Sequence, residues 1–309
     1  MQRKLVVSSS PHINSPENIR DIMVDVLVAL FPAALMAVFL FGYRALVTMI
    51  VAMFFSMITE AIILRRGNIF GDGSAAVTGL LLAMTLPPGS PWWVTAMGSI
   101  VAIAIGKQIF GGLGSNIFNP ALVGRAVLVV SWGTYLAGDV WLKPMPFTFV
   151  ADAVTKASPL ISPAGFWDLF IGAVPGALGE TSALALIVGA IWLYLRGHID
   201  WRIPGGFIGV VFIFGFFSGG FSAGIYHILA GGVLLGAFFM ATDMVTSPIT
   251  NTGKIVFGIG CGLVTMLIRL FGAMPEGVTF GILLMNGLTP LIDNLTIPRK
   301  FGEVKQTNA

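Results

Sequence analysis

Between residues 23 and 292 the chain is a succession of apolar stretches, interrupted by one long polar interval at residues 133–179. In hydrocarbon a backbone N–H or C=O has no water to bond, so a spanning segment must satisfy itself, and an apolar run of about 20 residues does so as a helix across roughly 30 Å. Residues 23–41 and 46–64 meet that length. Further apolar runs occupy 92–107, the stretch after Pro120 to about 132, and then 181–195, 205–217, 225–241, 254–271 and 278–292. With 56% hydrophobic and 10% charged residues, the chain lies far from the roughly 25% charge of a soluble domain. The expectation is an all-α integral membrane protein. A formal charge of +3 with scattered basic residues excludes nucleic acid as a partner class.

The third segment, residues 74–86, is short, holds Ser74, Thr78 and Thr85, and ends at Pro87-Pro88-Gly89-Ser90-Pro91. Thirteen helical residues cover only about 20 Å, so it reads as a short or broken helix. A pattern then recurs. Met84-Thr85-Leu86-Pro87, an apolar helix and Asn116-Ile117-Phe118-Asn119-Pro120 in the first half match Met244-Val245-Thr246-Ser247-Pro248, an apolar helix and Asn286-Gly287-Leu288-Thr289-Pro290 in the second. Five spans separate the copies, which gives about ten transmembrane helices in two inverted repeats with broken helices, an arrangement that points to a site near the bilayer midplane. The organisation expected is an aqueous arm at 1–22, a first bundle half at 23–132, the loop at 133–179, a second half at 180–292 and a tail at 293–309.

Lys and Arg bias fixes the orientation. With the N-terminus inside, Arg3, Lys4, Arg20, Arg65, Arg66, Lys107, Arg196, Arg202, Lys254, Arg299, Lys300 and Lys305 fall on the inner side, and Arg44, Lys143 and Lys156 on the outer. Both termini are therefore expected in the cytoplasm of a cell with this protein in its inner membrane, and the 133–179 loop outside.

Ionisable residues within spans are functional suspects: Asp25, Glu60, Arg125 and Arg269. Asp25, Glu60 and Arg269 lie near span ends, where they can snorkel to the interface; Arg125 is deeper and needs a neutralising partner or an anionic group. Two readings stand for Glu180, a helix start with Thr181 and Ser182 or a place beside a cofactor or ion path. Asp243, among Thr242, Thr246 and Ser247, is either a capped loop or part of an oxygen-rich cation site. The single Cys261 allows neither a disulfide nor a cysteine-held metal cluster within the chain, so any iron-sulfur centre would belong to another subunit. His12, His198 and His227 are not paired at haem-ligand spacing.

Four motifs in one order carry a resemblance. They are Asp72-Gly73-Ser74-Ala75-Ala76-Val77-Thr78-Gly79, Gly111-Gly112-Leu113-Gly114-Ser115-Asn116-Ile117-Phe118-Asn119-Pro120-Ala121, the loop peptide Asp152-Ala153-Val154-Thr155-Lys156-Ala157-Ser158-Pro159-Leu160, and Phe239-Met240-Ala241-Thr242-Asp243-Met244-Val245-Thr246-Ser247-Pro248. With Gly179-Glu180-Thr181-Ser182-Ala183-Leu184 downstream of the loop peptide, the chain resembles, over essentially its whole length, the D subunit of Rnf-type ion-translocating electron-transport complexes. That family is similar to the B subunit of the sodium-pumping NADH:quinone reductase.

The resemblance implies a flavin-bearing external loop. In the family FMN is joined through its phosphate to the last hydroxyl of a Ser/Thr-Gly-Ala-Thr peptide. Here Thr155 takes the first place, Lys156 stands for Gly, Ala157 matches, and Ser158 stands for Thr. Ser158 still offers a hydroxyl for a phosphoester, Lys156 adds a charge that favours the phosphate, and Pro159 favours extended backbone for the modifying enzyme. Thr155 is the second choice of acceptor and Thr181 the third. The resemblance leaves room for a second, noncovalent flavin, riboflavin, among the helices; from their own settings Glu180, Thr181, Asp243 and Arg125 are candidate cofactor-binding residues beside Thr155 and Lys156. It also implies partner subunits with iron-sulfur and flavin centres, and sodium or proton as the ion moved. The rival reading is an inverted-repeat solute transporter or channel without a redox centre, which would not need the 133–179 loop. The orientation is tested by labelling single introduced cysteines in intact cells: impermeant reagent should reach position 156 and not positions 4 or 300, and the reverse pattern would overturn the assignment.

Overall fold

The computed structural model describes residues 18–65, 71–137, 140–144, 165–180, 182–272 and 277–298. Among these the chain is helical and without strands. In order the helices are α1 (Ile19–Phe41), α2 (Tyr43–Leu64), α3 (Ser74–Thr85), α4 (Trp92–Ala104), α5 (Pro120–Trp132), α6 (Phe166–Ile171), α7 (Ala183–Leu195), α8 (Arg202–Leu229), α9 (Val233–Leu235, continued by a π turn at Gly236–Met240), α10 (Asn251–Phe271) and α11 (Val278–Thr296). Among the described residues six helices are long and apolar enough to cross a membrane, α4 counting as one with the 3-10 turn that carries it to Phe110, and α3, α5 and α7 are shorter apolar helices. This is a multi-pass membrane protein.

Local sequence explains the ends. Helix α1 begins four residues inside the stretch read as an aqueous arm, because Asn18 and Asp21 form a reciprocal cap there. Gly42 alone joins α1 to α2, at φ 65°, a backbone setting that glycine takes at no steric cost. Asn119 caps α5 by accepting from the Ala121 and Leu122 N–H groups, with Pro120 in the first turn where its missing N–H costs nothing. Thr250 caps α10 and Ser182 caps α7.

Helix α3 is the centre of the first half: all of its 12 residues are buried, and it packs against α1, α2, α4 and α5. In the second half α10 packs against α8 and α11, while α7 lies on α1. The stretch at 225–241, read from sequence as one span, is divided. Helix α8 runs through to Leu229 with a break in helical geometry at Gly219 and Gly220, and a second break at Ala230, Gly231 and Gly232 precedes α9. Arg269 of α10 holds that second break, donating to the carbonyls of His227 (2.8 Å) and Ala230 (2.9 Å). Its cation meets the negative end of α8 rather than snorkelling to the interface.

Helix crossings are set by glycine. A Cβ on Gly189 would collide with the Ala29 carbonyl oxygen where α7 meets α1, and one on Gly258 would collide with the Ile203 oxygen where α10 meets α8. Without a hydrophobic drive between helices in lipid, close backbone approach at small residues is what holds them. Gly189→Val should therefore lower the thermal midpoint of the detergent-solubilised protein, overpacking costing about 1–3 kcal/mol or more. Gly209→Ala, whose Cβ meets nothing within 4 Å, should leave it unchanged. Equal midpoints for the two variants would sink the close-packing account.

Candidate functional site

Twelve residues of α3 rise only about 18 Å, so both ends of this helix stop inside protein, where unpaired backbone groups are costly. Each end is met by polar groups. At the N-terminal end Asp72 accepts from the Ser74 N–H (3.0 Å) and from the Ser74 hydroxyl (2.5 Å). Burial pushes the Asp72 carboxyl up, but the two Ser74 hydrogen bonds and the nearby Lys107 charge outweigh it and hold the group below the ordinary carboxylate range. Lys107, 1% exposed, donates from Nζ to Ser74 Oγ and to Glu60 Oε1, both at 2.5 Å. Gln108 reaches the same Glu60 oxygen at 2.9 Å. Glu60, read from sequence as a snorkelling residue, is thus a buried partner (8% exposed), and Lys107, read as an inner-side charge in the positive-inside count, is inside the bundle.

This cluster borders a cavity between the two halves. Lys107, Ser74, Thr78, Asn116, Thr242 and Asp243 give it polar walls, and Met23, Leu81, Leu193, Ile199 and Phe239 apolar ones. Thr78 and Thr242 donate to the carbonyls of Ser74 and Phe238, leaving oxygen lone pairs for other donors. Asn116 is 5% exposed; its Nδ2 donates to the Phe118 carbonyl (3.1 Å), while its buried Oδ1 has no hydrogen-bond partner among the described residues. A buried acceptor left open costs about 1–3 kcal/mol. His198 also lines this cavity and bonds Asp25 (2.9 Å), whose carboxylate is further clasped by the Arg196 guanidinium at 2.9 and 3.2 Å. Asp25 therefore ties α1 to the end of α7.

At the C-terminal end of α3 the N–H groups of Leu178 and Gly179 donate to the carbonyls of Leu86 (3.0 Å) and Met84 (2.7 Å). On the other flank of the same interval, the Gly89 N–H donates to the Val140 carbonyl (3.1 Å). A second, smaller cavity at this end is lined by Thr85, Arg125, Glu180 and Thr279. Between the two cavities Asn119 donates from Nδ2 to the Met240 carbonyl (3.1 Å). With its amide turned to suit its neighbours, Asn286 accepts from the Asn119 N–H at 3.0 Å.

The sequence-derived candidates fall into three places. Arg125, 2% exposed, and Glu180 come together at the cavity by the C-terminal end of α3. Asp243 lies at the cavity by its N-terminal end, accepting from the Thr246 hydroxyl at 3.1 Å. Thr155, Lys156, Ser158 and Thr181 lie outside the described residues. Sequence reasoning missed Lys107, Ser74 and Asn116 as site residues. Lys107 and Glu60 stand 47 positions apart, and only the crossing of α2 with α3 and α4 unites them; the one available signal was a lysine flanked by Ile103, Ile105 and Ile109.

A family model described as the NQR2, RnfD, RnfE family matches residues 6–302. The chain is 45% identical to the D subunit of the Na(+)-translocating ferredoxin:NAD(+) oxidoreductase complex of Acetobacterium woodii, over 97% of this chain and 96% of that one. It is likewise 45% identical to the D subunit of the proton-translocating ferredoxin:NAD(+) oxidoreductase complex of Clostridium ljungdahlii, with 96% of each covered. It is 37% identical to the D subunit of the ion-translocating oxidoreductase complex of Stutzerimonas stutzeri, with 91% of each covered. The motif resemblance and the whole-chain match agree, and the chain belongs to the NQR2, RnfD, RnfE family as a D subunit of the Rnf type.

Proposed function

We propose that this chain is a membrane subunit of a redox-driven ion pump, carrying electrons on flavin and joining their passage to the movement of sodium or protons. Its relatives are named as subunits of ion-translocating ferredoxin:NAD(+) oxidoreductase complexes, and oxidising such a donor needs iron-sulfur and nucleotide sites that partner subunits would supply. Relatives of equal identity are named for different ions, so the choice of ion rests on differences finer than the family motifs. Ten crossings threaded as two inverted repeats would put both termini in the cytoplasm. The recurrence of a short helix before a long one, α3 before α4 and α9 before α10, supports this reading.

The observation that carries the flavin reading is that the interval holding Ser158 is fastened at both flanks to one end of α3. Val140 binds the turn after that helix, and Leu178 with Gly179 binds its last carbonyls. The polar cavity lies at the other end of the same helix. On this reading a covalent FMN on Ser158 belongs to an interval whose described flanks meet one end of α3, and a noncovalent flavin, riboflavin by the resemblance, would take the cavity at the other end. The open acceptor of Asn116 suits a ring N–H, Lys107 and Thr78 can serve ring oxygens, and Met23, Leu81 and Phe239 supply apolar surface for the ring faces. Flavin supplies the one- and two-electron chemistry; the side chains supply its position and electrostatics.

The Ser158 assignment has a direct test by peptide mass spectrometry on protein produced together with its flavin transferase. Ser158→Ala should lose the FMN mass completely, Ser158→Thr should keep it, and Thr155→Ala should keep it. Loss in Thr155→Ala with retention in Ser158→Ala would move the acceptor by three residues. An unmodified parent protein would remove the covalent flavin altogether.

A further inference from the structure

One ammonium serves more carboxylates than its burial requires. Lys107 gives two of its three N–H groups to Glu60 and Ser74, and Ser74 passes a hydrogen bond on to Asp72. The Lys107 side chain also forms part of the cavity wall that Asn116 and Asp243 share. Glu60 is engaged directly, Asp72 through a hydroxyl, and Asp243 faces the same cavity. Elsewhere in the bundle the acid is locked: the Arg196 guanidinium grips Asp25 through two nitrogens, a fixed planar fork. Lysine instead offers a point charge on a flexible stem that can turn from one acceptor to another.

We infer that Lys107 is a shared counter-ion, dividing its charge between Glu60 and an anionic ligand in the cavity. Negative charge entering the cavity draws the ammonium away from Glu60, and a carboxylate so released in a buried place must take up another cation, sodium or a proton. Linkage makes the effect reciprocal: a cation on Glu60 pushes the ammonium toward the cavity and favours the negatively charged form of whatever is bound there. The proposal involves no bond making or breaking. It rests on the cavity being a flavin site, and it gives the protein a physical link between electron charge and ion uptake that uses one side chain.

The test uses the purified whole complex, from which noncovalent flavin is released by acid and identified, and whose flavin midpoint potentials are titrated at several sodium concentrations and pH values. E60Q removes the competitor for Lys107. It should raise the preference of the site for reduced over oxidised flavin about tenfold, about 30 mV for a two-electron couple, and abolish the cation dependence of that potential. K107M/E60Q removes both members of the pair and leaves Asp72 its Ser74 hydrogen bonds; it should retain the flavin and lower the same preference about tenfold against the parent. Flavin retained with unmoved potentials, or both variants shifting the same way, would overturn the proposal while leaving the cavity reading intact. A parent complex without acid-releasable flavin would overturn the cavity reading and the proposal with it. Should K107M/E60Q fail to assemble, E60Q decides alone: an unchanged or lowered potential refutes the shared counter-ion.

Discussion

A helix that is buried on every face and too short to reach either surface cannot leave its ends to water. That is the condition α3 imposes on the rest of the chain. Its N-terminal end is served by Asp72 and Gly73, and its C-terminal carbonyls by the N–H groups of Leu178 and Gly179. Neither lipid nor an apolar core could replace these donors and acceptors, so irregular polypeptide has to enter the bundle at both depths. Polar loops brought in for the backbone then bring side chains with them. The cavity with Lys107 and Asn116 and the one with Arg125 and Glu180 lie where the helix stops.

The charges sort by what surrounds them. Asp200 binds Arg202 at 2.9 Å and Lys254 at 3.1 Å with side chains between a fifth and a third exposed, which joins the start of α8 to α10 at modest energetic value. Burial raises the Asp200 carboxyl, yet the backbone N–H of Arg202 and the Lys254 and Arg202 side chains together bring it below the ordinary range, so it stays ionised. Glu60 and Lys107 are another matter, with side chains 11% and 2% exposed. A buried pair of this kind recovers little beyond its own desolvation, and apolar residues of similar volume would often serve stability as well. Its presence is better explained by what the charges do than by what they hold together.

The sequence made the membrane class and the shortness of α3 legible, since each follows from local chemistry: apolar run length and a Pro-rich stop. Helix boundaries failed where glycine decided them. The run at 205–241 contains ten glycines, and which of them break the helix depends on neighbours such as Arg269, 39 positions from the carbonyl of Ala230. The site around Lys107 was only half legible. Asn116 and Asp243 were visible as polar residues in motifs, but Lys107 looked like an ordinary span-end cation, because hydropathy counts a charge without knowing whether the helix beside it stops early.

The seam between the halves uses a different device. The π turn after α9 bonds the Ala241 N–H to the Gly236 carbonyl, and the Met240 carbonyl accepts the Asn119 side chain. Asn119 meanwhile caps α5 with its side-chain oxygen and donates its own N–H to Asn286. One asparagine thus starts a helix in the first half and binds two helical elements of the second. Each such bond is worth about 1 kcal/mol net, enough to help fix the register of one half against the other. The halves are also joined where Gly189 of α7 meets the Ala29 carbonyl of α1 and where Asp25 of α1 binds Arg196 and His198 beyond α7, so backbone contact and paired charge hold the seam together with the Asn119 bonds.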